Sequence, residues 1–329
     1  MPLAQFLLLV IGGAAGVLLG AFAILVVRRG WQESRTAAKV TRGSAFRTAL
    51  LPLIARADDD AVLAALGAWR RDPVALEVAG HLLQLMRGGE RDKLMALVER
   101  LELLEPELAR IGSRRAVRRI AAIRNLGNFP STLVGDALER RFANDAEPAV
   151  RLEAGLALVR LQRLPAVAHC LAALDDGSFA TPAHRIVLRA LAAQRPQEMI
   201  EAWRVCDGRA ARLAVTDALG DIFDPAAFQA LREALCDPDP QMRCEALRSM
   251  RRIGHPSLGP AVLAALGDKQ WIVRVQAATT AGTMRLEGAR KSLRKLRNDR
   301  HWWVRYRAEQ ALGMLPAAVT HARRQGSAA

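Results

Sequence analysis

Aromatic and arginine side chains concentrate in one stretch near the end of the chain, residues 299–315, DRHWWVRYRAEQALGML. Aromatic rings can stack on nucleic acid bases and arginine can bind phosphate, so one interpretation is a nucleic acid site. Trp, Tyr and Arg also dominate the contact energy of many protein interfaces, so a second interpretation is a docking surface for a partner protein. A third is that the stretch is one copy of a repeated structural unit.

Residues that could support catalysis or metal binding occur without the spacing that such sites need. The six histidines form no HExxH pattern and no pair four residues apart, and the four cysteines form no CxxC pair. The chain has no glycine-rich phosphate loop and no GxSxG segment. The sequence therefore predicts no catalytic residue, no cofactor and no metal site, and it favours binding over catalysis.

The Asp and Arg of this stretch recur upstream. Steps of 31 residues back from Arg305 reach Arg274, Arg243 and Arg212, and looser steps reach Arg185, Arg151 and Arg119. Four of these arginines have an Asp six residues earlier, in the pairs Asp145 and Arg151, Asp237 and Arg243, Asp268 and Arg274, and Asp299 and Arg305. Apolar residues flank each Arg at spacings that share one helix face. Such a period predicts an all-α solenoid, in which helix pairs cover the apolar faces of their neighbours.

These copies resemble HEAT repeats, in particular the short bacterial repeats related to phycobilisome lyase repeats. The resemblance covers roughly residues 113–315 and implies two short helices per repeat. It also implies that the Asp of the turn and the Arg of the next helix form a hydrogen-bonded ladder between adjacent repeats. The pattern departs at Arg185, which has Phe179 six residues earlier, and at Arg212, where Asp207 stands one position late.

An arginine side chain suits such a ladder. Its planar guanidinium presents several donors, so it can join the carboxylate of its own turn to carbonyl groups of the next repeat. Partial burial strengthens these charge-assisted bonds. We therefore predict that the repeated arginines stabilise the fold and do not bind a ligand.

The start of the chain has a different composition. Residues from Leu3 to Val27 form an uncharged span of 25 residues, and about 20 apolar residues suffice for a helix to cross the hydrocarbon core. A cleavable signal peptide would have a basic n-region and a shorter apolar run, and a buried core helix would show an amphipathic stripe. The sequence favours a single N-terminal transmembrane helix over both.

Cations follow this span closely, at Arg28, Arg29, Arg35, Lys39, Arg42 and Arg47. The positive-inside rule then predicts a single-pass protein of the inner (cytoplasmic) membrane, with the bulk of the chain in the cytoplasm. Residues 28–47 are expected to meet anionic lipid headgroups. Gly12, Gly16 and Gly20 recur every four residues; this pattern allows a second transmembrane helix to pack closely, although glycine is common in membrane spans anyway.

The predicted architecture is an α-solenoid of HEAT-like helix pairs preceded by that transmembrane helix. We divide the chain into residues 1–27 (transmembrane helix), 28–44 (basic juxtamembrane linker), 45–112 (degenerate helical repeats that cap the array), 113–315 (HEAT-like repeats) and 316–329 (loose tail). The net charge of +15 is almost wholly due to arginine. The helical stripe of Lys291, Arg294 and Lys295 is interpreted first as a solvated face, and alternatively as a site for phosphates, lipid headgroups or an acidic partner.

The preferred function is a membrane-anchored scaffold or adaptor that docks a partner protein, with an inner-membrane enzyme complex as one candidate. Its predicted contact, here named the aromatic surface, consists of Trp271, Trp302, Trp303, Tyr306 and Arg307. Trp271 and Trp302 both precede a repeated Arg by three residues, so we expect them to lie close together. The alternative is that these rings only cover the end of the core at the last repeat.

Two other functions stay open. One is a basic solenoid that binds nucleic acid or anionic lipid, although a membrane span argues against nucleic acid. The other is bilin lyase-like activity, which rests on the resemblance in fold alone.

Overall fold

The structure is a computed structural model, and it describes residues 3–55, 66–175, 181–206 and 208–316, with backbone only for 3–19 and 51–55. Every regular element within these ranges is a helix, as the repeats predict. The chain divides into two compact units, Met1–Val134 and Gly135–Ala329. Each unit is described below by itself.

Within its described residues, the first unit contains one long α-helix and four shorter α-helices. They are α1 (Leu3–Ala55), α2 (Pro73–Leu85), α3 (Gly89–Arg100), α4 (Glu105–Arg110) and α5 (Ala116–Leu126). The later part of α1 packs on α2 and α3 and buries Phe46 and Leu50. Asp72 caps the start of α2 by accepting a hydrogen bond from the Val74 backbone at 2.7 Å, and it also pairs with Arg42 of α1 at 2.6 Å. This pairing ties α1 to α2.

Residues 28–44, predicted as a linker, lie inside α1 and are therefore helical. The stretch contains no proline, and nine of its 17 residues are good helix formers: four Arg, two Ala, one Lys, one Gln and one Glu. The boundary that the charge pattern predicts at residue 27 is thus a change of side-chain polarity along one continuous helix.

The predicted membrane span occupies the first half of α1. Among the residues that the structure describes, no helix has a stretch of the length and hydropathy that a membrane span needs. The surroundings of Gly12 and Gly16 lie outside what the structure describes, and Gly20 has open space where a side chain would stand. The transmembrane helix, its orientation, its lipid contacts and its glycine packing stay predictions.

The second unit begins within α6 (Thr132–Asn144), and its later helices form two rows. The helices that carry the repeated arginines form the arginine row: α7 (Pro148–Arg160), α9 (Pro182–Gln194), α11 (Arg209–Leu219), α13 (Pro240–Ile253), α15 (Trp271–Thr283) and α17 (Trp302–Met314). The second row consists of α8 (Val167–Leu174), α10 (Pro196–Val205), α12 (Pro225–Ala234), α14 (Gly259–Ala265) and α16 (Arg290–Leu296). Consecutive helices of the arginine row pack on one another.

Local sequence explains where these helices begin. Proline occupies an early position in α7, α9, α10, α12 and α13, where its missing N–H costs no helical hydrogen bond. Asp224 and Asp239 cap α12 and α13 by accepting from the backbone N–H groups of Ala226 and Gln241 at 2.7 and 2.9 Å. Each such cap stabilises a helix by about 1 kcal/mol.

The core between the rows is built from the apolar positions around each repeated Arg. In α15 these are Val273, Ala277 and Ala281, all fully buried. Small residues let neighbouring helices approach closely: a Cβ placed on Gly282 would lie 2.8 Å from the Cα of Ala311 in α17. Real structures essentially never contain a contact that short, so this position needs glycine.

Candidate functional site

The best-formed rungs of the ladder join α13, α15 and α17. Arg243 donates from Nε and Nη2 to the carboxylate of Asp268 at 2.8 and 2.9 Å. Arg274 donates in the same way to Asp299, also at 2.8 and 2.9 Å. Each accepting Asp belongs to the turn of the next repeat, 25 residues further along the chain. Two parallel bonds from one guanidinium fix both the spacing and the orientation of adjacent repeats.

The third nitrogen of each guanidinium, Nη1, donates to the turn that precedes its own helix. Nη1 of Arg274 donates to the carbonyl oxygens of Asp268 and Lys269 at 2.8 and 3.1 Å, and Nη1 of Arg243 does the same at Asp237 and Pro238. The structure thus reverses the predicted direction of the ladder: the Arg binds carbonyls of its own turn and the carboxylate of the next. The carboxylate of its own turn is already engaged in capping, as Asp268 is by the Gln270 backbone N–H at 2.8 Å.

The ladder weakens toward its first repeats. Arg212 lies 3.8 Å from Asp237. Arg151 binds only carbonyl oxygens among the contacts described, including that of Asp145 at 2.9 Å, and Asp145 itself lies 3.5 Å from Arg141. Phe179 and Asp207, where the repeat pattern departs, lie outside the described residues.

Arg185, on the helix where the pattern departs, has a different environment. It is exposed and lines a groove of about 430 Å³ across the arginine row, together with Arg209, Glu245 and Arg248. Arg248 pairs with the buried Glu245 at 2.7 Å, so part of this groove is already neutralised within the chain. The groove offers mixed charge rather than a continuous cationic track.

Electrostatics keep the ladder ionised. Burial alone would raise the pKa of Asp268 and of Asp299, but the hydrogen bonds from Arg243 and Arg274 outweigh it and hold both below the usual range. The hydrogen bond to Asp268 raises the pKa of Arg243. Asp268 and Asp299 are therefore ionised at neutral pH.

A second charged contact between repeats was not predicted. Asp217 of α11 is 1% exposed and accepts two bonds from Arg189 of α9, at 3.1 and 2.8 Å, and one from Arg252 of α13 at 2.8 Å. Burial opposes ionisation of Asp217, but these two arginines lower its pKa below the ordinary value. Its only sequence signal is an Asp inside the apolar run LAVTDALG.

The aromatic surface lies on α15 and α17. Trp302 stacks on Tyr306 with 5.5 Å between ring centroids, and it meets Trp303 edge-on at 4.4 Å. Arg307 lies 5.7 Å from the centre of the Tyr306 ring and donates to Gln310, which in turn donates to the Tyr306 hydroxyl at 2.9 Å. Trp302 is 53% exposed, in contrast to the 5% of Trp203. These contacts order the rings while leaving half of their surface open.

Trp271 contacts the last repeat through the residue that precedes Trp302. It stacks on His301, with 3.8 Å between ring centroids and an angle of 4° between the rings. His301 caps the start of α17, one residue before Trp302, and the offset between adjacent helices places its ring over Trp271. Trp271 is therefore covered on one ring face by the last repeat, whereas the described rings that contact Trp302, those of Trp303 and Tyr306, belong to its own helix.

The basic stripe of Lys291, Arg294 and Lys295 lies on α16. With Arg290 it lines an open cavity of about 590 Å³. Among the residues that the structure describes, no group of three or more His, Cys, Asp or Glu side chains could hold a metal ion.

The later repeats match a known protein family. Residues 229–313 match the family described as HEAT repeats. No curated protein matches the chain. The match covers the helices whose rungs are best formed, α13 to α17, and it leaves the relation to phycobilisome lyase repeats as a prediction.

Several solved structures are similar over much of the chain. Human deoxyhypusine hydroxylase in complex with glycerol is 19% identical over 77% of this chain and 95% of its own, with a TM-score of 0.33. A mutant of Kap121p is 16% identical over 85% of this chain and 35% of its own, with a TM-score of 0.47, and an engineered protein is 15% identical over 77% and 84%, with a TM-score of 0.37. These likenesses are too distant to carry an argument about function. Over residues 229–313, the chain is similar to HEAT repeats.

Proposed function

We propose that this chain is a scaffold that docks a partner protein through the aromatic surface. The observation that carries the proposal is that Trp302, Trp303 and Tyr306 are 53, 45 and 43% exposed although they hold one another in a fixed arrangement. Ordered rings lose little conformational freedom when a partner covers them, so more of the contact energy remains as affinity. Exposed Trp and Tyr beside Arg are typical of interface hot spots.

The apolar N-terminal residues extend this proposal. If residues 3–27 anchor the chain, the partner is associated with the same membrane, and tethering raises the effective concentration of the aromatic surface there. A membrane enzyme complex fits this arrangement. Neither the family match nor the described geometry adds support to bilin lyase activity.

The cavity beside α16 favours a second candidate function, the binding of a polyanion. Four cations line it, Arg290, Lys291, Arg294 and Lys295, against one carboxylate, Glu287. Anionic lipid headgroups suit an anchored chain better than nucleic acid does. Binding of this kind would weaken steeply as salt is raised.

Affinity capture of the full-length chain from a mild-detergent extract tests the proposal, with mass spectrometry for proteins and a nuclease-sensitive stain for nucleic acid. We expect a defined membrane protein that is lost from the Trp302→Ala, Trp303→Ala double variant. The matched control is Phe223→Ala, which removes another aromatic ring, 73% exposed, outside the aromatic surface.

Equal capture by the double variant would contradict the aromatic contact. Recovery of nucleic acid alone, released by moderate salt, would replace docking with the basic solenoid alternative. Thermal melting of all three proteins checks that the substitutions leave the fold intact.

A further inference from the structure

The last rung of the ladder is incomplete. Arg305 stands 31 residues after Arg274, and its Nη1 binds the carbonyl oxygens of Asp299 and Arg300 at 3.0 and 3.1 Å, as in the earlier repeats. In the part of the chain that the structure describes, no acceptor lies within hydrogen-bonding distance of its Nε and Nη2. The side chain of Arg274 is only 12% exposed, whereas Arg305 is an exposed residue. Arg305 thus keeps open the same two-donor fork that binds Asp268 and Asp299 within the array.

Two further contact points on α17 are open in the same way. Trp302 occupies the position of Trp271, yet among the described residues its ring contacts Trp303 and Tyr306 of its own helix and no ring of a following repeat, unlike the His301 ring on Trp271. Gly313 occupies the position of Gly282; Ala311 fills the space beside Gly282, whereas nothing lies within 4 Å of a Cβ built on Gly313. The outward face of α17 therefore repeats the face with which α15 receives α17.

The residues that fill this face inside the array follow a simple rule. The incoming segment brings an Asp in its turn and a small residue twelve positions later, in the pairs Asp237 and Ser249, Asp268 and Thr280, and Asp299 and Ala311. Ser249 and Ala311 are the residues that cross Gly220 and Gly282, each with its Cα 2.8 Å from the Cβ that glycine lacks. A larger residue at that position could not approach as closely.

We propose that the outward face of α17 binds an α-helix of a partner protein, preceded by a turn with an Asp whose carboxylate binds Arg305. Ala, Ser or Thr stands on that helix twelve residues after the Asp and crosses Gly313. The ring of Trp302 stacks on a planar side chain at the start of the same helix. This inference rests on the proposed docking function, since it states the chemistry of the partner.

The favoured occupant follows from charge. Arg243 and Arg274 bind a carboxylate with this fork, and residues 317–329 contain neither Asp nor Glu, so they offer no side-chain carboxylate. A second copy of the chain has its Asp268 and Asp299 engaged in its own rungs. A different protein with an unpaired Asp at a helix start remains the fitting partner.

Fluorescence anisotropy with the full-length protein in mild detergent tests this. The probe is a labelled synthetic peptide of residues 285–315, the segment that already packs on the equivalent face of α15. We expect saturable binding that weakens about tenfold for Arg305→Gln, which corresponds to about 1.4 kcal/mol. A peptide with Asp299→Asn should lose the same factor, and the two changes together should cost no more than either alone.

Arg204→Gln is the matched control because it removes the same charge from an exposed arginine on α10, outside every proposed site. Arg305→Lys keeps the charge and loses the fork, so it should bind more weakly than the wild type. Gly313→Val should abolish peptide binding without lowering the melting temperature, since its surroundings are open. Absence of saturable binding, or equal losses for Arg305→Gln and Arg204→Gln, would overturn the inference.

The two proposals fail separately. If the captured partner is lost from the Trp302 and Trp303 double variant and retained by Arg305→Gln, the docking function stands and the Asp-turn partner is rejected. If Arg305→Gln and the Asp299→Asn peptide show the expected non-additive losses while the double variant still captures the partner, the Asp-turn contact stands and docking through Trp302 and Trp303 is rejected. Self-association that Arg305→Gln abolishes, measured by sedimentation velocity, would identify a second copy as the occupant and overturn the choice of a different protein.

Discussion

The ladder makes a quantitative prediction at Arg274. Arg274→Ala removes a guanidinium that gives two bonds to Asp299 at 2.8 and 2.9 Å and two to backbone carbonyls at 2.8 and 3.1 Å. The side chains of the pair are only 12 and 9% exposed. The substitution therefore leaves a nearly buried carboxylate without its cation and two carbonyls of the turn without a donor.

The size of the effect follows from this geometry. Breaking a buried ion pair by removing one partner costs about 3–5 kcal/mol. Asp299 keeps one compensating bond, from the His301 backbone N–H at 2.8 Å, and water can reach the space left by the guanidinium. We therefore expect a loss near the lower end, about 3 kcal/mol.

The loss of stability in Arg274→Ala is best compared with that in Trp302→Ala. Trp302 is half exposed and pairs mainly with other exposed rings, so its removal should cost about 1 kcal/mol or less. Thermal melting by circular dichroism in the same detergent measures both. If Trp302→Ala proves more destabilising than Arg274→Ala, the ladder is not the main polar support of these repeats and the argument fails.

The other predictions concern packing and pH. Gly282→Val should lower the free energy of unfolding by about 1–3 kcal/mol, because even its Cβ would lie 2.8 Å from the Ala311 backbone, and this loss should appear as a lower melting temperature. Gly313→Val on the open face is the control. The pKa values of Asp268 and Asp299 are depressed, so their ion pairs stabilise the fold fully above the unfolded Asp pKa of about 3.9 and lose this contribution as pH falls through the folded values. Melting temperature should therefore drop below about pH 4, and Arg274→Ala, which lacks one of these pairs, should show a shallower drop. An equal acid dependence in the two proteins would contradict the assignment.

The sequence predicts the parts of the fold that repeat. Asp237, Asp268 and Asp299 can be aligned with their arginines because each copy carries the same residues at the same spacing, and the structure builds helix pairs on them. The aromatic surface is predicted for a similar reason, since Trp271 and Trp302 share an offset from the repeated Arg. Its exposure at the last repeat follows because no further helix of the described chain packs on α17.

Contacts between copies are harder to predict. A spacing of six residues relates Asp268 to Arg274, but it does not say which repeat supplies the partner of each donor. The stack of Trp271 on His301 depends on an offset between helices that no single copy contains. Asp217 bridges Arg189 and Arg252 over 28 and 35 residues, and neither arginine belongs to the repeated set.

The direction of the ladder explains why its two ends differ. Each rung is made by an Arg that reaches forward to the Asp of the next repeat, so an array of this kind begins with an Asp and ends with an Arg. At the first end, Asp145 lies 3.5 Å from Arg141, an arginine of the preceding helix. At the last end, Arg305 has its own turn's carbonyls but no described carboxylate, and the exposed Trp302 and the open Gly313 stand beside it. The forward direction therefore leaves the Nε and Nη2 donors of Arg305 on the same helix as the open rings, where the proposed partner would gain both charge pairing and apolar contact.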